Sequence, residues 1–119
     1  MSEPIRTRSF YDGSKPAHYP ELPEPLELGT YDNHTHFDFA DGENPLTPTE
    51  QLDLANQAGI LGVVQVGVTL ESSKWSARLA AKESRVLAAV ALHPNEAPEF
   101  KTEANLAVAI AEIEQLANE

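Results

Sequence analysis

Two runs of residues constrain the architecture more tightly than anything else in this chain. Ile60-Leu-Gly-Val-Val-Gln-Val-Gly-Val68 and Val86-Leu-Ala-Ala-Val-Ala-Leu92 are almost wholly apolar, and the first is rich in β-branched side chains. A strand with one face in water alternates polar and apolar residues. A run without that alternation describes a strand covered on both faces, as in a parallel sheet.

The segments around these runs agree. Leu26-Glu-Leu-Gly-Thr-Tyr31 alternates and predicts a first strand, followed by a polar loop from Asn33 to Leu46. In Thr47-Pro-Thr-Glu50, Thr47 suits an N-cap, Pro48 the first helical position, and Glu50 closes a capping box. That helix runs through Leu52, Ala55 and Gln57 to a left-handed cap at Gly59. Glu71 to Glu83 predicts a second helix with Trp75 and Leu79 in the core. A third spans about Thr102 to Ala117, with Leu106, Ile110, Ile113 and Leu116 on one stripe. The order βαβαβα predicts an α/β fold of right-handed parallel units, by itself a small open sheet.

Residues 1–25 read as a separate N-terminal extension, and residues 26–119 as the domain. Pro4, Pro16, Pro20, Pro23 and Pro25 fall in the extension, and proline neither donates to a ladder nor continues a helix. His18, within it, reads as solvated. With 119 residues there is room for one domain. A net charge of −11 argues against a basic nucleic-acid or membrane-surface module. The absence of cysteine excludes a disulfide framework, a thiolate metal site and a cysteine nucleophile. No apolar run reaches the roughly 18 residues of a membrane span. No charged-then-apolar signal pattern opens the chain, so the expected location is cytoplasmic.

The chemistry-bearing segment is Asp32-Asn-His-Thr-His-Phe-Asp38, after the first strand. If the extended geometry persists, His34 and His36 point to one side, where two imidazoles can grip a divalent cation from one edge. Asp32 or Asp38 would orient an imidazole or add a carboxylate ligand. The alternative is two surface histidines in a polar loop. His93, in Leu92-His-Pro-Asn-Glu96, falls on the same carboxyl rim of the sheet, where functional groups of α/β folds gather. It suits contact with an anionic substrate or a metal-bound water, or is a loop histidine before a proline turn. Gly62 and Gly67 belong to no phosphate-cradling motif, and Ser72, Ser73 and Ser76 to no nucleophile elbow. Lys74, Arg78, Lys82 and Arg85 share one helix face, read as solvated rather than as a phosphate-binding stripe.

Tyr31-Asp-Asn-His-Thr-His-Phe-Asp38 resembles the opening signature of the TatD family of metal-dependent deoxyribonucleases, in the amidohydrolase-like superfamily. Val63-Val-Gln-Val-Gly67 with its Ser-rich helix start resembles that family's second strand, and Ala91-Leu-His-Pro-Asn-Glu-Ala97 its His-Pro turn after strand three. The likeness runs from about Leu28 to Ala117. Asn33 departs from it, standing where the family has a small Ser, Thr or Ala.

The resemblance implies the first three βα units of a TIM (β/α)8 barrel with one or two divalent cations (Mg, Mn or Zn) at its mouth. It makes His34 and His36 metal ligands and places His93 against substrate. It implies hydrolysis of DNA, or of another phosphodiester, by a metal-activated water. The family's later bridging glutamate, two histidines and aspartate have no counterpart here, and such a barrel takes about 250 residues. The chain therefore reads as truncated, about the first third of such an enzyme, with an exposed sheet edge prone to self-association. Two other readings stand beside this one. One is a non-catalytic relative serving as an interaction or structural piece; the other is a different hydrolase of the superfamily.

Overall fold

A computed structural model describes Pro4, Arg6–Thr7 and residues 20–40 and 44–119. His18 lies outside the described residues. In chain order the elements are β1 (Arg6–Thr7), β2 (Thr30–Thr35), β3 (Phe39–Ala40), α1 (Pro48–Gln57), β4 (Ile60–Val66), α2 (Leu70–Ala80), β5 (Val86–Ala89), a 3-10 helix (Pro94–Glu99) and α3 (Glu103–Ala117). The fold is α/β. β2, β4 and β5 form one parallel sheet in that spatial order. Each connection steps the same way across the sheet, so right-handed crossovers put α1 and α2 on one face. There Leu52, Trp75 and Leu79 pack with Phe37, Val63 and Val86 as a single core. β1 and β3 make a separate two-residue parallel pair, bringing Arg6–Thr7 alongside Phe39–Ala40.

The helix signals act as the sequence predicts. The Thr47 hydroxyl accepts from the Glu50 amide (3.3 Å), and the Glu50 carboxylate accepts from the Thr47 amide (2.8 Å). Gly59 takes φ 89°, the left-handed conformation that ends α1 and starts β4 on the next residue. α2 carries an unpredicted box of its own, with Thr69 as N-cap and Ser72 as its partner.

The first strand differs from expectation. It covers Thr30–Thr35 rather than Leu26–Tyr31, and Leu28 is 84% exposed. The reason is the partner. β4 begins at Ile60, which pairs with Thr30, and the Thr30 amide donates to the Gly59 carbonyl (3.1 Å). Residues before Thr30 have no β4 ladder beside them. The Leu26 amide donates instead to Ala58 at the end of α1 (3.1 Å). The strand consequently runs through the polar residues to Thr35, carrying His34 within it.

The stripe on α3 is also shifted. Ala109 is its buried residue, flanked by half-buried Leu106, Ile113 and Leu116, while Ile110 is 53% exposed. Positions 106, 109, 113 and 116 follow the helical repeat along the side facing α2, and Ile110 sits one residue off it. Among the described residues, no helix is long and apolar enough to cross a membrane.

Candidate functional site

The His-Thr-His segment lies where β2 leaves the sheet. Pairing of β2 with β4 runs from Asp32↔Val63 to Thr35↔Gln65, so β2 carries one residue more than its partner there. Such a bulge re-aims side chains at a strand end. The rings of His34 and His36 stand together, with centroids 5.0 Å apart in an edge-to-face arrangement. His34 is exposed and His36 half-buried. Asp32 acts locally, its carboxylate accepting from the His34 amide (3.0 Å).

The ring of His36 is oriented by β4. Its Nδ1 lies 3.1 Å from the Val66 carbonyl, which can only accept, so Nδ1 carries the proton. When the imidazole is neutral, its lone pair is then on Nε2, the electronic state a metal ligand needs. The backbone beyond is held by Gln65, a fully buried carboxamide in β4. Its Oε1 accepts from the Phe37 amide (2.6 Å), and its Nε2 donates to Oδ1 of buried Asp38 (3.1 Å).

His93 occupies the same carboxyl rim, two strands further along, after β5. Its amide donates to the Val68 carbonyl (2.7 Å), and it is the N-cap of the 3-10 turn. Its Nδ1 accepts from the Asn95 amide (3.1 Å), which puts the ring proton on Nε2. The turn is anchored through Ser73, whose hydroxyl accepts from the Ala91 amide (3.0 Å) and donates to the Ala91 carbonyl (2.9 Å). Gly67 makes that approach possible, since a Cβ there would lie 2.5 Å from the Ser73 Oγ and 2.6 Å from its Cα.

His34 and His36 are thus brought together, and His93 is placed on their rim. Among the described residues, no group of three or more His, Asp or Glu side chains is clustered to hold a metal ion. Ser72, Ser73 and Ser76 all serve structure: Ser72 caps α2, Ser73 ties α2 to Ala91, and Ser76 donates to the Ser72 carbonyl (2.8 Å). The four basic residues do not share one helix face, because α2 ends at Ala80 and Lys82 and Arg85 follow it. Lys74 pairs with Glu112, and Arg85 with Glu83 and Asp53. A groove of about 950 Å³ between α2, α3 and β5 is lined by Lys74, Arg78, Ala88, Glu112 and Leu116, and by none of the histidines.

Gln65 was invisible as a site residue to reasoning from motifs. The available signal was its polarity inside an otherwise apolar strand, because a buried amide demands partners.

The fold defines a class, a parallel α/β unit of the kind that opens a TIM-type barrel, with its histidines on the carboxyl rim. The particular family follows from comparison. The TatD related DNase family matches residues 31–119, and the chain belongs to it. A protein of Mycobacterium tuberculosis, described as an uncharacterized metal-dependent hydrolase TatD, is 42% identical over 66 residues, covering 56% of this chain and 25% of that protein. The chain therefore spans about a quarter of that relative in the matched region. No solved structure matches.

Proposed function

We propose that the chain provides the opening ligand pair of a TatD-type metal-dependent hydrolase acting on phosphodiester bonds, with DNA as substrate. The observation that carries this reading is the His34–His36 pair, with His36 held by Val66 in the tautomer that leaves its lone pair on Nε2. Such a donor set fits a borderline divalent cation such as Zn, Mn or Co better than Mg, which prefers oxygen. When bound, the cation supplies Lewis acidity toward a phosphoryl oxygen and lowers the pKa of water.

The chain's own residues do the rest. Val66 and Gln65 hold His36 in place, and His93 presents an Nε2–H donor suited to a phosphate oxygen. With a net charge of −11, affinity for a polyanion must come from the cation and such local donors.

The test has two arms: Mn²⁺ binding by calorimetry, and cleavage of a DNA oligonucleotide with and without chelator. Expected are Mn²⁺ binding by this chain that His34→Ala and His36→Ala each abolish, and chelator-sensitive cleavage by a chain extended through the later βα units of the barrel. Binding that survives both substitutions overturns the metal reading. Mn²⁺ binding by this chain with no cleavage even by the extended one favours the second reading, a non-catalytic piece. The lack of a third clustered ligand among the described residues is the observation on its side.

A further inference from the structure

We propose that Gln65 is a positioning residue for the His34–His36 pair, fixing the turn that carries His36 so that its imidazole is presented to a cation. The proposal rests on the metal reading above.

The argument begins with an anomaly of composition. Gln65 is 0% exposed, in the middle of a strand whose neighbours Val63, Val64 and Val66 are apolar. Glutamine is seldom fully buried, and its carboxamide is costly to desolvate unless every polar atom finds a partner. An apolar side chain of similar volume would fill the same space without that demand.

The partners show what the amide does there. Phe37 N–H can only donate and the Asp38 carboxylate accepts, so the orientation of the amide is determined by the network. The Thr35 hydroxyl, 3.5 Å from Gln65 Oε1, has its better acceptor in the Val64 carbonyl at 3.2 Å. The two working bonds therefore fall on residues 37 and 38, directly after His36.

This is where β2 has ended and the backbone turns, with the Phe39 amide reaching the His36 carbonyl at 3.4 Å. No ladder bond of β2 reaches this turn. Gln65 replaces the ladder with a side chain, and the next residue of the same strand, Val66, takes the His36 ring itself. β4 thus holds His36 from two directions, through its ring and through the two residues that follow it. A partner bonded to the ligand itself commonly governs metal affinity by about 10–100-fold, and Gln65, acting one step further out through the backbone, belongs at the lower end of that range.

The test measures Co²⁺ binding to the full chain through its visible absorption, alongside urea denaturation. Gln65→Met keeps the volume and removes both bonds. Leu116→Ala, on α3 against α2 and outside the core that holds Phe37, is the control for lost stability alone. Expected is an about 10-fold weaker Co²⁺ affinity with an altered band shape for Gln65→Met. Leu116→Ala should leave affinity unchanged while its unfolding midpoint falls. Equal affinities for the two variants would overturn the proposal.

Should Gln65→Met fail to fold, Zn²⁺ titration of the unmodified chain decides. The Gln65 side-chain amide and Phe37 backbone resonances should shift together with those of His36, and the Leu116 amide should not. Gln65 resonances indifferent to saturating Zn²⁺ would overturn the proposal. If the unmodified chain binds no Co²⁺, or binds it regardless of His34→Ala and His36→Ala, the metal reading fails and takes this proposal with it.

Discussion

His36 and His93 sit on the same rim, and both are tethered to carbonyls near the end of β4, yet they are held in opposite ways. β4 takes His36 by its ring, through Val66, whereas the loop after β4 takes His93 only by its backbone, through Val68. The ring of His93 answers to its own turn, accepting from Asn95. The consequence is electronic as well as mechanical: the lone pair is on Nε2 in His36, and the proton is on Nε2 in His93. On the proposed reading, one residue type thereby suits two tasks. A ligand needs a lone pair and a fixed ring, whereas a group meeting an anionic oxygen needs an N–H and tolerates adjustment.

The strongest way to break this comparison on the fold's stability is through Ser73. Ser73→Ala strips the Ala91 amide and carbonyl of their shared partner and should cost about 1–3 kcal/mol in urea denaturation. Because Ser73 anchors the segment leading to His93, amide exchange should accelerate around residues 91–95 and stay unchanged around residues 35–38. Acceleration in both stretches would show that the rim moves as one body and that the two histidines are not independently held.

A smaller effect is expected from His93 itself. His93→Ala removes a cap to the Asn95 amide at an exposed turn, a loss of about 0.5 kcal/mol. It should leave Co²⁺ affinity where it was, in contrast to His36→Ala. Nitrogen NMR at about pH 8, above the usual imidazole range, should show the unprotonated nitrogen as Nε2 in His36 and Nδ1 in His93. The same tautomer in both would remove the basis for assigning them different tasks.

Much of this was legible in the residues, and the exceptions have physical causes. Thr47, Glu50 and Gly59 mark α1 because capping is a short-range interaction written in adjacent positions. The apolar runs mark β4 and β5 correctly, but the cover on both faces that they predict is not met in this chain: α1 and α2 lie on one face, and Leu61 and Leu87 are 49% and 60% exposed. The start of β2 was not legible from its own alternation. Its register is set by where β4 begins, a fact belonging to residue 60 rather than to residues 26–31. The His-x-His pair and the rim position of His93 were visible as spacing and placement. The tautomers were not, because they depend on which backbone group a turn brings to Nδ1. Gln65 stood in plain view as a polar residue in an apolar strand, but its partners at residues 37 and 38 are 28 and 27 positions away.

The smallest expected effect sharpens a contrast between the rim and the opposite end of the sheet. At the amino end, Arg85 binds both oxygens of Glu83 (2.8 and 3.0 Å) and reaches Asp53 on α1 (2.8 Å). The side-chain hydrogen bond from Arg85 holds the Glu83 carboxyl below its ordinary range, and Glu83, then Asp53, raises the pKa of Arg85. In the capping box of α1, the Thr47 amide, then its hydroxyl, holds Glu50 below its ordinary range in the same way. A carboxyl with a lowered folded pKa contributes stability that is complete above the unfolded value and lost as pH falls through the folded one. Urea midpoints should therefore decline from about pH 6 toward pH 3. Glu83→Gln and Glu50→Gln should each flatten that decline, by small amounts that salt reduces further because these groups are near the surface. Neither substitution touches β4, so neither should alter Co²⁺ affinity at neutral pH. A Glu83→Gln variant with weakened Co²⁺ binding would mean that the geometry of the rim is set by the whole sheet rather than by Gln65 and Val66.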